Sequence, residues 1–219
     1  MNLTEQIKSM ILSGIVEEQH RKIGVEIESF YYEKGDLRRL ALDNKNKYSA
    51  IDLLSDLNKI AQENQDTHSY SLEPGGQLEW ASSPTISLWD ILNEYSKNVL
   101  AQKELCVNNA IDIGYFSVEP ISKPLDIVLI NSNKYQLMHN LFKNTGKLGS
   151  WMMRNTASIQ VNIDYTSEED ANEMAYVADA IQPLISILFS NAPFIQGETV
   201  GTENLRWKIW NDTDSSRCG

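Results

Sequence analysis

Three segments alternate apolar residues with acids or amides at a period of two, and this alternation constrains the fold more than any other feature. In residues 22–30, Glu26 and Glu28 alternate with Val25 and Ile27. In residues 77–81, Gln77 and Glu79 alternate with Leu78 and Trp80, directly after the turn sequence Glu73-Pro74-Gly75-Gly76. In residues 156–164, Gln160, Asn162 and Asp164 alternate with Ile159, Val161 and Ile163. Successive side chains of a strand point to opposite faces, so each segment has an apolar back and a polar front. Any half-exposed strand alternates this way, and for a single glutamate the solvent-facing interpretation holds. Specificity comes from the set of three. Together they predict a sheet that packs on one side and carries chemistry on the other.

Helical periodicity fills the intervals. Residues 4–20 place Ile7, Met10, Ile11 and Ile15 on one side, with Gly14 weakening the middle. Residues 49–64 turn Ile51, Leu54, Leu57, Ile60 and Ala61 inward. Short strands over 69–73 and 77–81 flank Pro74-Gly75-Gly76 as a hairpin, because glycine supplies the positive φ of a tight turn. Ser87 and Asp90 form a capping pair that opens a helix to about residue 111, with Leu88, Ile91, Leu92, Tyr95, Val99 and Leu105 inside. A strand over 113–118 follows, then a loop at Pro120 and Pro124, a helix over 134–143 and a turn around Gly146 and Gly149. A last helix begins with acids near Ser167, at the positive end of its dipole. Irregularly interleaved strands and helices, with no G-x-G-x-x-G or P-loop, predict an α+β fold with a largely antiparallel sheet.

Charge and cysteine content narrow the function. With 30 acidic against 19 basic residues the net charge is −11, and no Lys/Arg cluster offers a nucleic-acid surface. Cys106 and Cys218 are too few and too far apart for a disulfide framework, there is no signal-like start, and no apolar run spans a membrane. A cytoplasmic protein without nucleic-acid or membrane partners is expected; oligomeric state is not legible.

Clustered carboxylates repel unless a positive charge sits between them. Mg²⁺ takes oxygen ligands and bridges to phosphates. Glu26, Glu28, Glu73 and Glu79 are therefore the candidate metal ligands, with ATP held through the metal. Arg154 and Arg217 are candidates for a substrate carboxylate or phosphate, which guanidinium binds in a two-pronged fork; the alternative for each is a surface ion pair. His20, His68 and His139 lack ligand spacing, and Cys106, within a predicted helix, reads as buried and inert.

These residues fall in four stretches that resemble glutamate–cysteine ligases of the plant and proteobacterial type. They are 23–30 with Gly24-Val25-Glu26-Ile27-Glu28, 72–79 with Glu73-Pro74-Gly75-Gly76-Gln77-Leu78-Glu79, 152–164, and 188–219 with Trp210-Asn211-Asp212-Thr213-Asp214-Ser215-Ser216-Arg217-Cys218-Gly219. The second and fourth are the specific ones. The resemblance implies a glutamine-synthetase-like sheet forming an active-site funnel with helices packed outside, partial in this chain. Residues 1–219 would be the N-terminal part of a single catalytic domain, truncated at the C-terminus, with open sheet edges. It also implies ATP- and Mg²⁺-dependent joining of the glutamate γ-carboxylate, through a γ-glutamyl phosphate, to cysteine, the first step toward glutathione. Carried over by motif, Glu26, Glu28 and Glu79, with Glu73 beside them, hold metal; Arg154 and Arg217 are catalytic; Thr156, Gln160, Asn162 and Asp214 bind substrate or ATP. Gly149-Ser150-Trp151 departs from the family's small, apolar run. Two alternatives stand beside this: a related carboxylate–amine ligase, or one supplying γ-glutamylcysteine for ergothioneine, and an inactive fragment that retains ligand binding.

Overall fold

The computed structural model describes residues 2–202 and 204–218. The period-two segment at 22–30 forms the long central strand β1 (Ile23–Glu33), and every other strand of the main sheet is placed relative to it. On one side β1 pairs with β3 (Leu78–Ala81), which pairs in turn with β2 (Ser69–Leu72) across the Pro-Gly-Gly turn. On the other side β1 pairs first with β5 (Ile159–Ile163) and then with β4 (Ile111–Gly114). All these pairings are antiparallel. A two-strand hairpin, β6 (Phe194–Ile195) with β7 (Glu198–Thr199), stands apart. With helices packed on the open antiparallel sheet, the fold is α+β.

The apolar back of β1, β2 and β3 is covered by α2 (Ala50–Glu63) and α3 (Leu88–Asn108). Leu53, Leu57 and Ala61 of α2 pack with Tyr31, Tyr70, Leu78 and Trp80 of the sheet. Ser49 starts α2 as expected, in a capping box: its hydroxyl accepts from the Asp52 amide at 3.3 Å, and the Asp52 carboxylate accepts from the Ser49 amide at 2.9 Å. Replacing Ser49 by Ala should cost about 1 kcal/mol, read as a lower urea midpoint.

Several expectations are corrected. Ile51 faces solvent, and Leu53 takes the inner position instead. In α3 the buried residues are Ile91, Asn98, Gln102 and Cys106, whereas Leu88 and Leu92 are exposed. The two buried amides are satisfied by the sheet: Tyr31 donates to Gln102 at 2.7 Å, Gln102 to Asn98 at 2.7 Å, and Tyr70 to Asn98 at 3.0 Å. Ser87 makes no side-chain cap, and Asp90 accepts from the Thr85 hydroxyl instead. The expected strand at 113–118 is displaced to Ile111–Gly114. The helix expected over 4–20 ends at Leu12 as α1 (Leu3–Leu12) and buries none of its apolar residues.

The largest correction concerns β5. Its polar front faces as expected, but Ile159, Val161 and Ile163 on its back are 69%, 55% and 46% exposed. The α2–α3 layer lies beneath β1, β2 and β3, and no β5 residue joins its core. The following helix α6 (Glu168–Leu188) buries no residue either.

The front of β1 changes character along its length. Glu26 and Glu28 occupy the first half, whereas Phe30 and Tyr32 pack with Ala157 and Phe116 in the second. Beside this wall lie α4 (Asn133–Thr145), α5 (Gly149–Asn155) and α7 (Leu205–Asn211). The segment expected as a turn around Gly149 is the start of α5. Gly149 is required there by crowding, since a Cβ would sit 2.3 Å from the Phe142 Cβ.

Candidate metal centre

Register brings the acids together. Glu28 on β1 lies directly opposite Glu79 on β3, and Ser71 on β2 is opposite Glu79 on its other side, donating to it at 3.0 Å. Glu73 leaves β2 into the turn, where the Gly76 amide donates to its carbonyl at 2.7 Å and its own amide donates to the Gln77 carbonyl at 2.8 Å. Gly76 takes φ +77°, a left-handed conformation suited to glycine. This folds Glu73 back onto the front face. One carboxylate oxygen each from Glu28, Glu73 and Glu79 lie within 4.8 Å of one another.

Two of these half-buried carboxylates, Glu28 and Glu73, resist ionisation. Burial, followed by the charges of Glu73 and Glu79, pushes the Glu28 carboxyl up to about 7, while a hydrogen bond with Ser158 and the Arg206 charge act the other way. Burial and Glu79 likewise raise Glu73, with Lys134 opposing. Like charges directly across a strand pair also destabilise the sheet. The trio is thus an oxygen-only donor set short of positive charge, which is the chemistry that suits a hard divalent cation.

Glu26 lies on the same face of β1 but outside the trio, and accepts from the Asn162 amide at 3.0 Å. Gln160 donates to Glu28 at 3.2 Å. The front of β5 therefore holds two carboxylates of β1 in place. Thr156 is buried; its hydroxyl donates to the Met152 carbonyl at 2.7 Å, and its carbonyl accepts from Gln77.

The two arginines differ. Arg154, at the end of α5, is only 7% exposed, yet among the described residues its Nε and Nη1 have no partner, and burial alone lowers its pKa. Arg217 is paired with Asp214, its Nε donating to the carboxylate at 2.7 Å, and its side chain is largely exposed. Hydrogen bonds from Ser216, then Arg217, hold the Asp214 carboxyl below the usual range.

Four further groups belong to this neighbourhood without any spacing signal in the sequence. Arg206 on α7 donates to the Ala157 carbonyl at 3.1 Å, and its charge reaches Glu28. Lys134 and Tyr135 at the start of α4 face the acids: Lys134 acts on Glu73, and the Tyr135 hydroxyl is raised by burial and then by Glu73 and Glu79. The Ile130 amide, donating to the Pro74 carbonyl at 2.8 Å, brings this segment onto the turn. Arg39 underlies the turn, donating to the Gly75 carbonyl at 3.0 Å. Among the described residues no helix is long and apolar enough to cross a membrane.

Residues 22–219 match glutamate-cysteine ligase family 2. The chain is 32% identical over 224 residues to "Glutamate--cysteine ligase A, chloroplastic" of Oryza sativa subsp. indica, covering 98% of this chain and 45% of that protein. It is 31% identical over 230 residues to "Glutamate--cysteine ligase, chloroplastic" of Nicotiana tabacum and to its namesake in Arabidopsis thaliana, in each case covering 98% of this chain and 42% of the relative. The chain spans less than half the length of these relatives.

Proposed function

This chain belongs to glutamate-cysteine ligase family 2, and from that premise we propose that it serves ATP- and Mg²⁺-dependent ligation of glutamate to cysteine. The observation that carries the proposal is the convergence of Glu28, Glu73 and Glu79 from β1, the turn and β3. These three would hold Mg²⁺, with Glu26 next along the strand. When bound, the metal supplies neutralising charge for the polyphosphate and for oxygens that gain charge in phosphoryl transfer.

The chain's own residues bind and orient. The unpartnered Nε and Nη1 of Arg154 suit a carboxylate or phosphate, which would end their costly isolation. Asp214 holds the guanidinium of Arg217 in a fixed direction for a second anion. Gln160 and Asn162 fix the carboxylates of Glu28 and Glu26, and Lys134 and Arg206 add positive charge at the rim of the trio. In the proposed reaction a γ-carboxylate oxygen of glutamate attacks the γ-phosphorus of ATP, and ADP leaves. The cysteine amine then attacks the acyl carbon, phosphate leaves, and the amine gives up a proton. The cytoplasm is taken as the setting, in keeping with two unpaired cysteines, although the names of the plant relatives place those proteins in chloroplasts.

The test measures ADP release by the purified chain with Mg²⁺, ATP and glutamate, with and without cysteine, beside Mn²⁺ binding followed by its EPR signal. Mn²⁺ binding is expected of this chain; cysteine-dependent release would show in addition that this part suffices for the whole reaction. Glu79→Gln should weaken Mn²⁺ by at least about tenfold, since even groups that only support a ligand typically count for that much. Parent-like Mn²⁺ binding by this variant, together with no ADP release from the parent, would sink the proposal.

A further inference from the structure

Arg39 lies outside the acid trio, yet it connects the two halves of the site. It is only 7% exposed. Its Nη2 donates to the Gly75 carbonyl at 3.0 Å, and its Nη1 reaches the Arg154 carbonyl at 3.5 Å. The guanidinium carbon sits 4.6 Å above the Phe30 ring. One of those carbonyls belongs to the turn that carries Glu73; the other belongs to Arg154, whose own Nε and Nη1 are unpartnered among the described residues. Gly75 and Arg154 touch so closely that a Cβ on Gly75 would lie 2.6 Å from the Arg154 Cα. Gln77 makes a parallel link, accepting from the Gly75 amide at 3.0 Å and donating to the Thr156 carbonyl at 2.8 Å.

A buried guanidinium is expensive unless paired. Among the described residues Arg39 makes hydrogen bonds to carbonyls and none to a carboxylate; the nearby buried Glu119 shares a favourable charge interaction with it but accepts its hydrogen bonds from Tyr32 and from the Ile121 and Ser122 amides. An apolar side chain of similar length would fill this volume beside Phe30 without the desolvation cost of the guanidinium, while Glu119 would lose a neighbouring positive charge. What it would not do is grip two backbone segments at once.

We propose that Arg39 is a positioning residue: its forked guanidinium holds the Glu73-bearing turn against the backbone of Arg154, fixing the spacing between the divalent-cation carboxylates and the anion-binding arginine. This rests on the cation site proposed above. It assigns to Arg39 a role in which charge is used for geometry rather than for contact with substrate.

The test uses the 219-residue chain with Arg39→Met, Arg39→Lys and, as control, Glu79→Gln. Mn²⁺ binding is read by EPR, and amide hydrogen exchange is read by residue. Loss of a group that orients a metal ligand typically weakens metal binding by about 10- to 100-fold. Arg39→Met should fall toward the upper end and Arg39→Lys, which keeps the charge but loses the planar fork, near the lower end. Exchange should quicken at 75–77 and 154–156 while amides of α2 and β1 keep their protection; a general packing role would loosen those as well. Should Arg39→Met melt below the assay temperature, Arg39→Lys decides alone. Parent-like Mn²⁺ binding by the Arg39 variants beside weak binding by Glu79→Gln overturns the positioning role and leaves the cation site standing. Parent-like binding by Glu79→Gln overturns the cation site, and this inference with it.

Discussion

A Glu28→Gln chain should unfold at a higher temperature than the parent at pH 8 and lose divalent-cation binding at the same time. In the fold the Glu28 carboxyl is pushed up to about 7 from an ordinary 4.5, first by burial and then by Glu73. Below pH 4.5 both folded and unfolded states hold the proton, and the group costs nothing. Between about 4.5 and 7 the unfolded chain releases its proton while the fold retains it, so stability falls as pH rises. Above 7 the cost is constant, about 3 kcal/mol. Gln has no proton to lose, so the variant escapes this penalty. For a chain of this size each kcal/mol shifts the melting temperature by about 2–4 °C. The two chains should melt together at pH 4 and separate as pH rises. Added Mg²⁺ should raise the parent's melting temperature and leave the variant's unchanged, because a ligand stabilises only the state it binds. Equal melting of the two chains at pH 8 would remove the crowding argument.

Gly75→Ala should be the most damaging single methyl in the site. The added Cβ would lie 2.6 Å from both the Cα and the carbonyl oxygen of Arg154, and 2.8 Å from the Gln77 Oε1. Two of these neighbours are backbone, which cannot swing aside as a side-chain tip can. Overpacking of this kind costs about 3 kcal/mol when backbone must shift. It would carry Glu73 out of the trio, so the urea midpoint and Mn²⁺ affinity should fall together. Gly35→Ala is the informative control. Gly35 has a φ of +87° and open space around it, so only the left-handed backbone is penalised, at about 1 kcal/mol. A Gly75→Ala chain no less stable than Gly35→Ala would show that the turn has room it does not display.

What was legible in the sequence follows from which forces leave a periodic mark. β2, β3 and the first half of β1 are readable because burial of one face at period two writes itself into alternation; Trp80 and Leu78 against Glu79 are the clearest instance, whereas Gln77, polar in the pattern, is buried by its hydrogen bonds to Gly75 and Thr156. The convergence of Glu28 with Glu79 required only that two such strands pair in register. The inner face of α3 was misread because Asn98 and Gln102 are buried through hydrogen bonds to tyrosines on other strands, a reason that leaves no hydropathy signal. Arg39 and Arg206 leave no mark in the sequence for a related reason: the partners of each are carbonyls distant in sequence, Gly75 and Ala157. The apolar stripe of β5 was read correctly as a stripe and wrongly as a covered one. Alternation records that a face is apolar; it does not record what lies against it.

That bare face carries its own consequence. β5 turns Gln160 and Asn162 to the carboxylates of β1, while its back and its outer edge are unpaired among the described residues. An open edge with an apolar flank is a template for further strands, including those of another molecule. Handling the chain therefore pulls in two directions: the surface that must be shielded to keep it dispersed is the reverse side of the strand that must stay accessible to ligand. A solubilising partner or surface redesign aimed at Ile159, Val161 and Ile163 acts on the side of β5 turned away from the acids, so the two demands can be met separately.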